Sequence, residues 1–326
     1  MRKFFVVAAL LLVVLGVSFA SPGACAAKLR VGVAYDSGGT EMPFNRLIYE
    51  GAIRAEREFA DGVELVILEP SLTSSHENLL RNLVRLNCDL VIGGGGSFSA
   101  AAEKLADENP RVLFAVVDGR AQSASPEGNL LCLTFRDQES SYLAGMAAAL
   151  TSRTGKIGFI GAMPEREILR FYAGYVAGAK SVRPGVQVFT SYIGEKPIAF
   201  KNAYRAKEIA LQQIAGGADV VFPAAGFAGI GAIEAAAEKN AYVIGCDIDQ
   251  SLAQRAVFRS YILTSTLKRV DTAVYETIRQ TVAGKFQGGY LDFGLKEGGV
   301  DYARNIYNKP LLDPLAWQIP RKFKSE

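Results

Sequence analysis

Short apolar runs alternate with longer segments of helical periodicity along most of the chain. In the first half the pattern predicts strands at Leu29–Tyr35, Glu64–Leu68, Asp89–Ile92, Val112–Val117 and Leu130–Thr134, and helices at Phe44–Phe59, Glu77–Leu86 and Ala100–Glu108. The second half predicts strands at Lys156–Ile160, Val186–Tyr192, Val220–Phe222, Tyr242–Gly245 and Val257–Leu263, and helices at Glu165–Ser181, Ile198–Ile214 and Gly229–Lys239. This order is typical of an α/β fold with parallel sheets and right-handed crossovers.

One β-α-β unit occurs twice in the sequence. The first copy runs from Cys88-Asp-Leu-Val-Ile-Gly-Gly-Gly-Gly to Asp118, and the second runs from Ala218-Asp-Val-Val-Phe-Pro-Ala-Ala-Gly to Asp247. The duplication predicts two similar lobes, each built on a doubly wound parallel sheet. Because ligands of open parallel sheets bind beyond the carboxyl ends of the strands, two facing lobes would share one cleft.

The chain is expected to pass between the lobes three times. A helix predicted at Arg269–Ala283 follows the last strand of the second series, when that lobe already has its full set of strands. We therefore expect crossings near Arg136, Leu263 and Gly288, which form a three-segment hinge that lets the lobes open and close. In this interpretation lobe 1 comprises residues 28–136 and 264–287, and lobe 2 comprises residues 137–263 and 288–326.

Residues 1–27 have the pattern of a secretory signal peptide. A basic start precedes an unbroken apolar run, and Ala24-Cys-Ala forms a small-x-small cleavage site. The apolar run is shorter than the ~20 residues that a membrane-spanning helix needs. The alternative of lipidation at Cys25 is disfavoured by Pro22, where a lipoprotein signal has Leu, Val or Ile. We therefore predict export to the periplasm without a lipid anchor.

Composition excludes several classes of function. Loss of the leader removes Arg2 and Lys3, so the formal charge falls from +3 to +1, and about 300 residues remain, enough for two domains. No basic block indicates a nucleic-acid partner. Cys88, Cys132 and Cys246 lie in apolar strand patterns and are predicted to be buried free thiols. With 1 histidine and no Cys-x-x-Cys pair, a metal site built from histidine or thiolate ligands is not expected. We also expect no cofactor and a monomeric protein.

Seven motifs occur in order between residues 29 and 300. They are Val33-Ala-Tyr-Asp-Ser-Gly-Gly with Phe44-Asn, Ser141-Tyr-Leu-Ala-Gly-Met-Ala-Ala, Gly155-Lys-Ile-Gly-Phe-Ile-Gly, Phe171-x-x-Gly-Tyr-x-x-Gly-Ala, Ala225-Gly-x-x-Gly-x-Gly, Ile244-Gly-Cys-Asp-x-Asp-Gln and Leu263-Thr-Ser-Thr-Leu-Lys-Arg-Val-Asp. Together they resemble the basic membrane protein family of bacterial substrate-binding lipoproteins, the purine nucleoside receptors of ABC importers. The resemblance implies a type I periplasmic binding protein fold, a ligand such as inosine, guanosine or adenosine, and an ABC permease of the inner membrane as partner.

The candidate ligand site combines strand ends, helix starts and aromatic residues. Its members are Asp36, Asp118, Gly226 and Asp247 after predicted strands, Phe44, Asn45 and Lys268 at helix starts, and Phe171 and Phe227. For a nucleoside, an ionised Asp247 would accept both hydroxyls of the ribose diol, while Lys268 donates to a ribose oxygen. Phe44 would stack on one face of the base, and Phe171 or Phe227 would cover the other.

Asn45 and Asp118 are expected to read the polar edge of the base, because an amide donates and accepts whereas a carboxylate only accepts. Structural roles stay open for several of these residues. An aspartate after a strand is often a turn former, a phenylalanine at a helix start often packs in the core, and most lysines are solvated. The family usually has an Asp and a small hydroxyl residue before Phe-Asn, whereas this chain has Glu41-Met-Pro, which stiffens the loop.

Two other functions are compatible with these features. A sensor of the same fold would pass its closed state to a membrane receptor, and sequence does not separate it from a transport protein. A secreted nucleoside hydrolase would need a carboxylate cluster that holds a metal, whereas the acidic candidates lie singly at different strand ends. We therefore do not expect an enzyme. Residues 312–326 do not resemble the usual ending of the family and have no predicted role.

Overall fold

The computed structural model describes residues 28–35, 39–70 and 74–323, which form two six-stranded sheets. In chain order the strands are β1 (Leu29–Tyr35), β2 (Val63–Leu68), β3 (Leu90–Gly94), β4 (Leu113–Val117), β5 (Leu130–Phe135), β6 (Lys156–Gly161), β7 (Gln187–Tyr192), β8 (Val220–Ala224), β9 (Tyr242–Gly245), β10 (Ile262–Lys268), β11 (Gly289–Phe293) and β12 (Val300–Tyr302). The first sheet has the order β11-β5-β4-β3-β1-β2 and is parallel. The second has the order β12-β10-β9-β8-β6-β7, with the short β12 antiparallel to β10.

Helices cover both faces of each sheet. In chain order they are α1 (Pro43–Glu58), α2 (His76–Arg85), α3 (Ser99–Glu108), α4 (Asp137–Thr151), α5 (Arg166–Val182), α6 (Ala203–Ala215), α7 (Gly229–Lys239), α8 (Gln250–Ala253), α9 (Val270–Val282) and α10 (Pro314–Phe323). On the first sheet α1 and α9 share one apolar core, and α2 and α3 share the core of the opposite face. On the second sheet α4 and α5 are separated in the same way from α6 and α7. The two doubly wound lobes predicted from the sequence are confirmed.

The chain passes between the sheets three times, but two crossings lie further along the chain than predicted. The first follows β5 at Arg136. β10 pairs with β9 in the second sheet, so the next crossing follows Lys268 rather than Leu263. β11 pairs with β5 in the first sheet, so the last crossing lies between β11 and β12 rather than near Gly288. Residues 264–268 thus belong to the second sheet, and residues 289–293 belong to the first.

The strand predicted at Val257–Leu263 is wrong, because residues Ala256–Tyr261 form a 3-10 helix and the strand follows it. The interior of β10 is polar yet fully buried. Thr264 Oγ1 donates to the Ala303 carbonyl at 2.7 Å, and Ser265 Oγ accepts from Gln250 N at 3.0 Å. Buried hydroxyls are tolerated when they are hydrogen-bonded. A buried strand can therefore have a polar sequence, and a search for apolar runs does not find it.

Two further segments differ from prediction. The helix predicted at Ile198–Ile214 consists of a 3-10 helix, Pro197–Lys201, and the separate helix α6, which begins where the Asn202 side chain accepts from Arg205 N at 3.0 Å. The unassigned C-terminal segment contains α10, which packs against α4. None of the helices in the described ranges is long and apolar enough to cross a membrane. The predicted signal peptide, residues 1–27, lies outside the described residues.

Helices α4 and α5 pack closely because glycines line their contact. A Cβ atom on Gly174 would clash with the backbone of Gln138, and one on Gly178 would clash with the backbone of Tyr142. The Ser141 hydroxyl also donates to the Phe171 carbonyl across this contact, at 2.6 Å. The close approach fixes the start of α5 against the first crossing of the chain, where the cleft lies.

Candidate functional site

A cavity of about 710 Å³ lies between the two sheets, beyond the carboxyl ends of their strands. Residues from both lobes line it. Lobe 1 contributes the glycines 94–96 after β3 and the segment after β4, and lobe 2 contributes residues that follow β6, β8 and β9. The cavity therefore occupies the position predicted from the strand ends.

The structure brings seven of the predicted site residues to this cavity: Phe44, Asn45, Asp118, Phe171, Gly226, Asp247 and Lys268. Asp36 lies outside the described residues. Phe227 does not line the cavity but a smaller crevice that also contacts Pro43, and its side chain is 43% exposed. Phe227 lies in the 3-10 turn Gly226–Ala228, which begins at a left-handed Gly226 with φ of 54°, and its crevice is also lined by Glu41 of lobe 1. Of the two phenylalanines predicted as alternatives for the second face of the base, Phe171 lines the cavity and Phe227 does not.

Lys268 occupies the floor of the cavity and is not a surface lysine. It is the last residue of β10, and its side chain is 4% exposed. The ammonium group lies 2.8 Å from Asp118 Oδ2 and 3.3 Å from Asp137 Oδ2. It also lies 5.7 Å from the ring centre of Phe44 and 5.0 Å from that of Phe135, so aromatic faces cover the cation as well.

Burial and charge shift the pKa values of this cluster. Burial raises the pKa of Asp118 and of Asp247, and it raises the pKa of Asp137 to about 8 although the Lys268 ammonium acts in the opposite direction. Burial alone would lower the pKa of Lys268, but the charges of the three aspartates outweigh it and hold that pKa above its usual range. The lysine therefore stays a cation and serves as a fixed hydrogen-bond donor.

Asp118 and Asp247 occupy equivalent positions and share an unusual backbone conformation. Their φ values are 55° and 67°, in the left-handed region that few residues other than glycine adopt. Asp118 directly follows β4 and Asp247 lies two residues after β9, and both line the cavity. Backbone strain of this kind is common at ligand sites, and the two carboxylates are presented from opposite lobes.

The loop before α1 closes one edge of the cavity. Pro43 is the first residue of the helix, which suits the restricted φ of proline. Asn45 is 3% exposed, and its amide nitrogen donates to the Gly39 carbonyl at 2.9 Å. Asn45 therefore helps to hold the loop, while Phe44 packs on the core of lobe 1 and also contributes to the cavity wall.

Several cavity residues were not predicted. Asp137 starts α4 directly after the first crossing, and the sequence gives no signal that it meets Lys268. Arg120 of lobe 1 lines the cavity and its Nη2 lies 2.7 Å from Glu167 Oε1 of lobe 2, so an ion pair spans the mouth of the cleft. Phe200, on the 3-10 helix before α6, contributes an aromatic wall beside Gly226. The sequence does not indicate this position for Phe200, because the residue lies in a segment predicted as a continuous helix.

Known proteins resemble this chain along most of its length. Residues 28–316 match the family described as PnrA-like ABC transporter substrate-binding proteins. The chain is 32% identical over 305 residues to the ABC transporter nucleoside-binding protein BmpA of Lactococcus lactis subsp. cremoris, covering 88% of this chain and 85% of that relative. It is 34% identical over 280 residues to basic membrane protein A of Borreliella afzelii, covering 85% and 83%.

A solved structure resembles the fold. The chain superposes on an ABC transporter solute-binding protein from Aeropyrum pernix K1 with a TM-score of 0.77 and 26% identity, covering 91% of this chain and 90% of that one. The type I periplasmic binding protein fold and the family resemblance inferred from the seven motifs are both confirmed.

Proposed function

Because this chain belongs to the PnrA-like family of ABC transporter substrate-binding proteins, we propose that it captures a purine nucleoside in the cleft and delivers it to an ABC importer. Family membership establishes a small-molecule ligand and a transporter as partner. The identity of the ligand rests on the residues that line the cleft. In this proposal the protein is exported by its leader, works in the periplasm as a monomer and contacts a permease of the inner membrane.

The observation that carries the proposal is the position of Asp247 beside Lys268. The Lys268 backbone N donates to the Asp247 carbonyl at 3.0 Å, so the two residues are adjacent across β9 and β10. Among the described residues, the Asp247 carboxylate accepts only the Cys246 thiol, at 3.5 Å. A carboxylate with open acceptor sites next to a permanent cation suits a ribose diol, which presents two donors side by side. We therefore assign the sugar to Asp247.

Aromatic surfaces on both sides of the cleft suit a flat base. Phe44 enters from lobe 1, and Phe171 and Phe200 line the cavity from lobe 2. Phe171 is 3% exposed and packs edge-on against Phe222, so it has little surface left for a ligand. We therefore favour Phe200 as the second face and Phe171 as its support. The lactococcal relative is named a nucleoside-binding protein, which agrees with this ligand class.

A thermal-shift panel tests the ligand class. Inosine, guanosine and adenosine should each be compared with arabinose and a branched amino acid as controls. A ligand that binds only the native state stabilises it by about 2.7 kcal/mol at a hundred times its Kd, so a nucleoside should raise the Tm. A panel in which no nucleoside shifts the Tm contradicts the proposal, and a shift with arabinose alone redirects it to sugars. Prolonged incubation should leave inosine intact, since release of the free base would indicate an enzyme.

A further inference from the structure

Asp137 lies behind Lys268, at the start of α4 where the chain first crosses between the lobes. Its side chain is 1% exposed, and its Oδ2 lies 3.3 Å from Lys268 Nζ. The second carboxylate oxygen, Oδ1, is buried and has no hydrogen-bond partner among the described residues. Leaving an ionised oxygen buried without a partner is strongly unfavourable, whereas a protonated carboxyl carries no charge to desolvate.

Three carboxylates surround one ammonium group in this cluster. Asp118 after β4 and Asp247 after β9 face Lys268 from the cavity side, and Asp137 faces it from α4. If all three aspartates were ionised, the cluster would hold two excess negative charges in a largely buried space. A single proton on the most buried carboxyl removes half of that excess.

The charges that act most strongly on Asp137 are those of Lys268, Asp118 and Asp247. Glu165 and Glu167 at the start of α5 act on Asp118 rather than on Asp137, and burial raises the pKa of Glu165. Arg170 on α5 donates to the Phe135 carbonyl at 2.9 Å, and Arg136 pairs with Glu139 on the hinge side. Burial raises the pKa of the Cys246 thiol well above its usual value, so that group stays neutral. The C-terminal segment meets α4 at its other end, through Thr151. The N-terminus of α4 favours a negative charge on Asp137, but it does so for any group in the first turn and does not offset a missing hydrogen bond.

We propose that Asp137 is a positioning residue that carries a proton when the cleft is ready to bind, holds Lys268 between Asp118 and Asp247, and weakens ligand capture when it ionises. The raised pKa of Asp137, about 8, agrees with this role. A ligand that displaces water from the cleft removes solvation from the carboxylates, so it binds better to the cluster with the smaller charge. The link to ligand capture rests on the proposed function, whereas the proton on Asp137 does not.

The ligand-free protein tests the proton directly. Because the folded pKa of Asp137 lies above its value of about 3.9 in an unfolded chain, the stability it contributes is fully present below pH 4 and is lost as the pH rises through 8. Asp137→Asn keeps the shape of the protonated group but cannot ionise. The unfolding constant of the wild type, divided by that of the variant, should rise up to about tenfold per pH unit between pH 5 and 8.

Glu139→Gln is the matched control, since it removes a carboxylate from the same helical turn without touching the cluster. The unfolding constant of the wild type, divided by that of Glu139→Gln, should not change across the same pH range. A ratio for Asp137→Asn that is equally level overturns the protonated assignment, whatever the ligand of the protein is.

Calorimetric titration with adenosine, whose base does not ionise in this pH range, tests the link to binding. The affinity of the wild type should fall by up to about tenfold per pH unit above pH 8, while that of Asp137→Asn stays constant. At pH 6 Asp137→Ala should bind at least tenfold more weakly, because it lacks the oxygen that holds Nζ. If the Asn variant does not fold, the binding heat of the wild type in phosphate and Tris at pH 8 still reports proton uptake.

A wild-type affinity that does not change with pH, with equal binding heats in the two buffers, overturns the link to ligand capture. If no nucleoside binds at any pH, the proposed function fails, and the unfolding constants alone then decide the role of Asp137.

Discussion

The two copies of the β-α-β unit have nearly the same backbone. In each copy a strand is followed by a short 3-10 turn, Gly96–Phe98 in lobe 1 and Gly226–Ala228 in lobe 2. Each copy ends on an aspartate in the left-handed region, Asp118 in lobe 1 and Asp247 in lobe 2. A duplicated sequence therefore builds a duplicated frame, with one carboxylate on each side of the cleft.

The two aspartates nevertheless have different partners. Asp118 accepts a hydrogen bond from Lys268 Nζ at 2.8 Å, whereas Asp247 accepts only the Cys246 thiol from the described residues. Lys268 belongs to the strand beside Asp247, yet its ammonium group reaches across to lobe 1. Because Lys268 pairs with Asp118, two equivalent positions have different roles. Asp118 belongs to an ion pair, and Asp247 keeps open acceptor sites.

The other repeated aspartates remain equivalent and show the alternative role. Asp89 accepts Arg30 N at 2.8 Å, and Asp219 accepts Arg153 N at 2.7 Å. Asp89 anchors the start of β1, Asp219 anchors the segment that leads into β6, and neither lines the cavity. An aspartate that occurs in both copies is therefore not necessarily a ligand residue. The aspartates at the strand starts are structural, and those at the strand ends face the cleft.

The largest expected effect follows from removing the lysine. Lys268→Met would leave the Asp118 carboxylate without its cation and Asp137 without its hydrogen-bond donor, and breaking a buried ion pair on one side typically costs about 3–5 kcal/mol. We expect the free energy of unfolding to fall by about that amount in urea denaturation at pH 7. Arg269→Met is the matched control, since its ion pair with Asp271 is exposed and should contribute at most about 1 kcal/mol. Equal losses in both variants would contradict the buried role of Lys268.

A pair of substitutions tests the asymmetry itself. Asp118→Asn removes the charged partner of Lys268, so the free energy of unfolding should fall by about 1.5–3 kcal/mol. Asp247→Asn should change it by less than about 0.5 kcal/mol, because Asp247 makes no ion pair within the described residues. Asp247→Asn should instead lower the affinity for a riboside about ten- to a hundredfold, as measured by calorimetry.

A deoxyriboside sharpens this test. A 2′-deoxynucleoside has already lost part of the diol, so Asp247→Asn should weaken its binding less than that of the riboside. Comparing both proteins with both ligands isolates the contact between the carboxylate and the 2′ hydroxyl. An equal loss for the two ligands would mean that Asp247 does not contact the 2′ hydroxyl, and the assignment of the sugar to its lobe would then be wrong.

Strand ends could be predicted from the sequence, and contacts across the cleft could not. Asp118, Gly226 and Asp247 reach the cavity because each follows a strand of apolar residues, which is a local pattern. Asp137 was missed because its role depends on Lys268, 131 positions away along the chain. Phe227 lines a second crevice instead of the cavity, and its position depends on a short 3-10 turn that periodicity does not predict. Tertiary pairing and turn geometry therefore limit the prediction more than element assignment does.

The aromatic wall gives a smaller expected effect. Phe44→Ala should weaken nucleoside binding by about 1–3 kcal/mol, the range typical of stacking between a base and an aromatic side chain. Phe227→Ala is the control, since the ring of Phe227 lies outside the cavity, and its affinity should match that of the wild type within about 0.5 kcal/mol. Calorimetry at one pH measures both. A larger loss for Phe227 than for Phe44 would reverse the placement of the two rings.

The smallest expected effect concerns the backbone that the two copies share. Replacing Asp247 by Gly and by Ala removes the same carboxylate, so the difference between the two variants isolates the left-handed conformation. Ala is strained at a φ of 67° and Gly is not, so the Gly variant should be more stable by about 1 kcal/mol in chemical denaturation. The same pair at Asp118, with φ of 55°, should give the same difference even though Asp118→Ala and Asp118→Gly both lose the ion pair. If the difference between the Gly and Ala variants is not the same at Asp118 and at Asp247, Lys268 affects the backbone as well as the charge. The two lobes would then not share one backbone conformation at these positions.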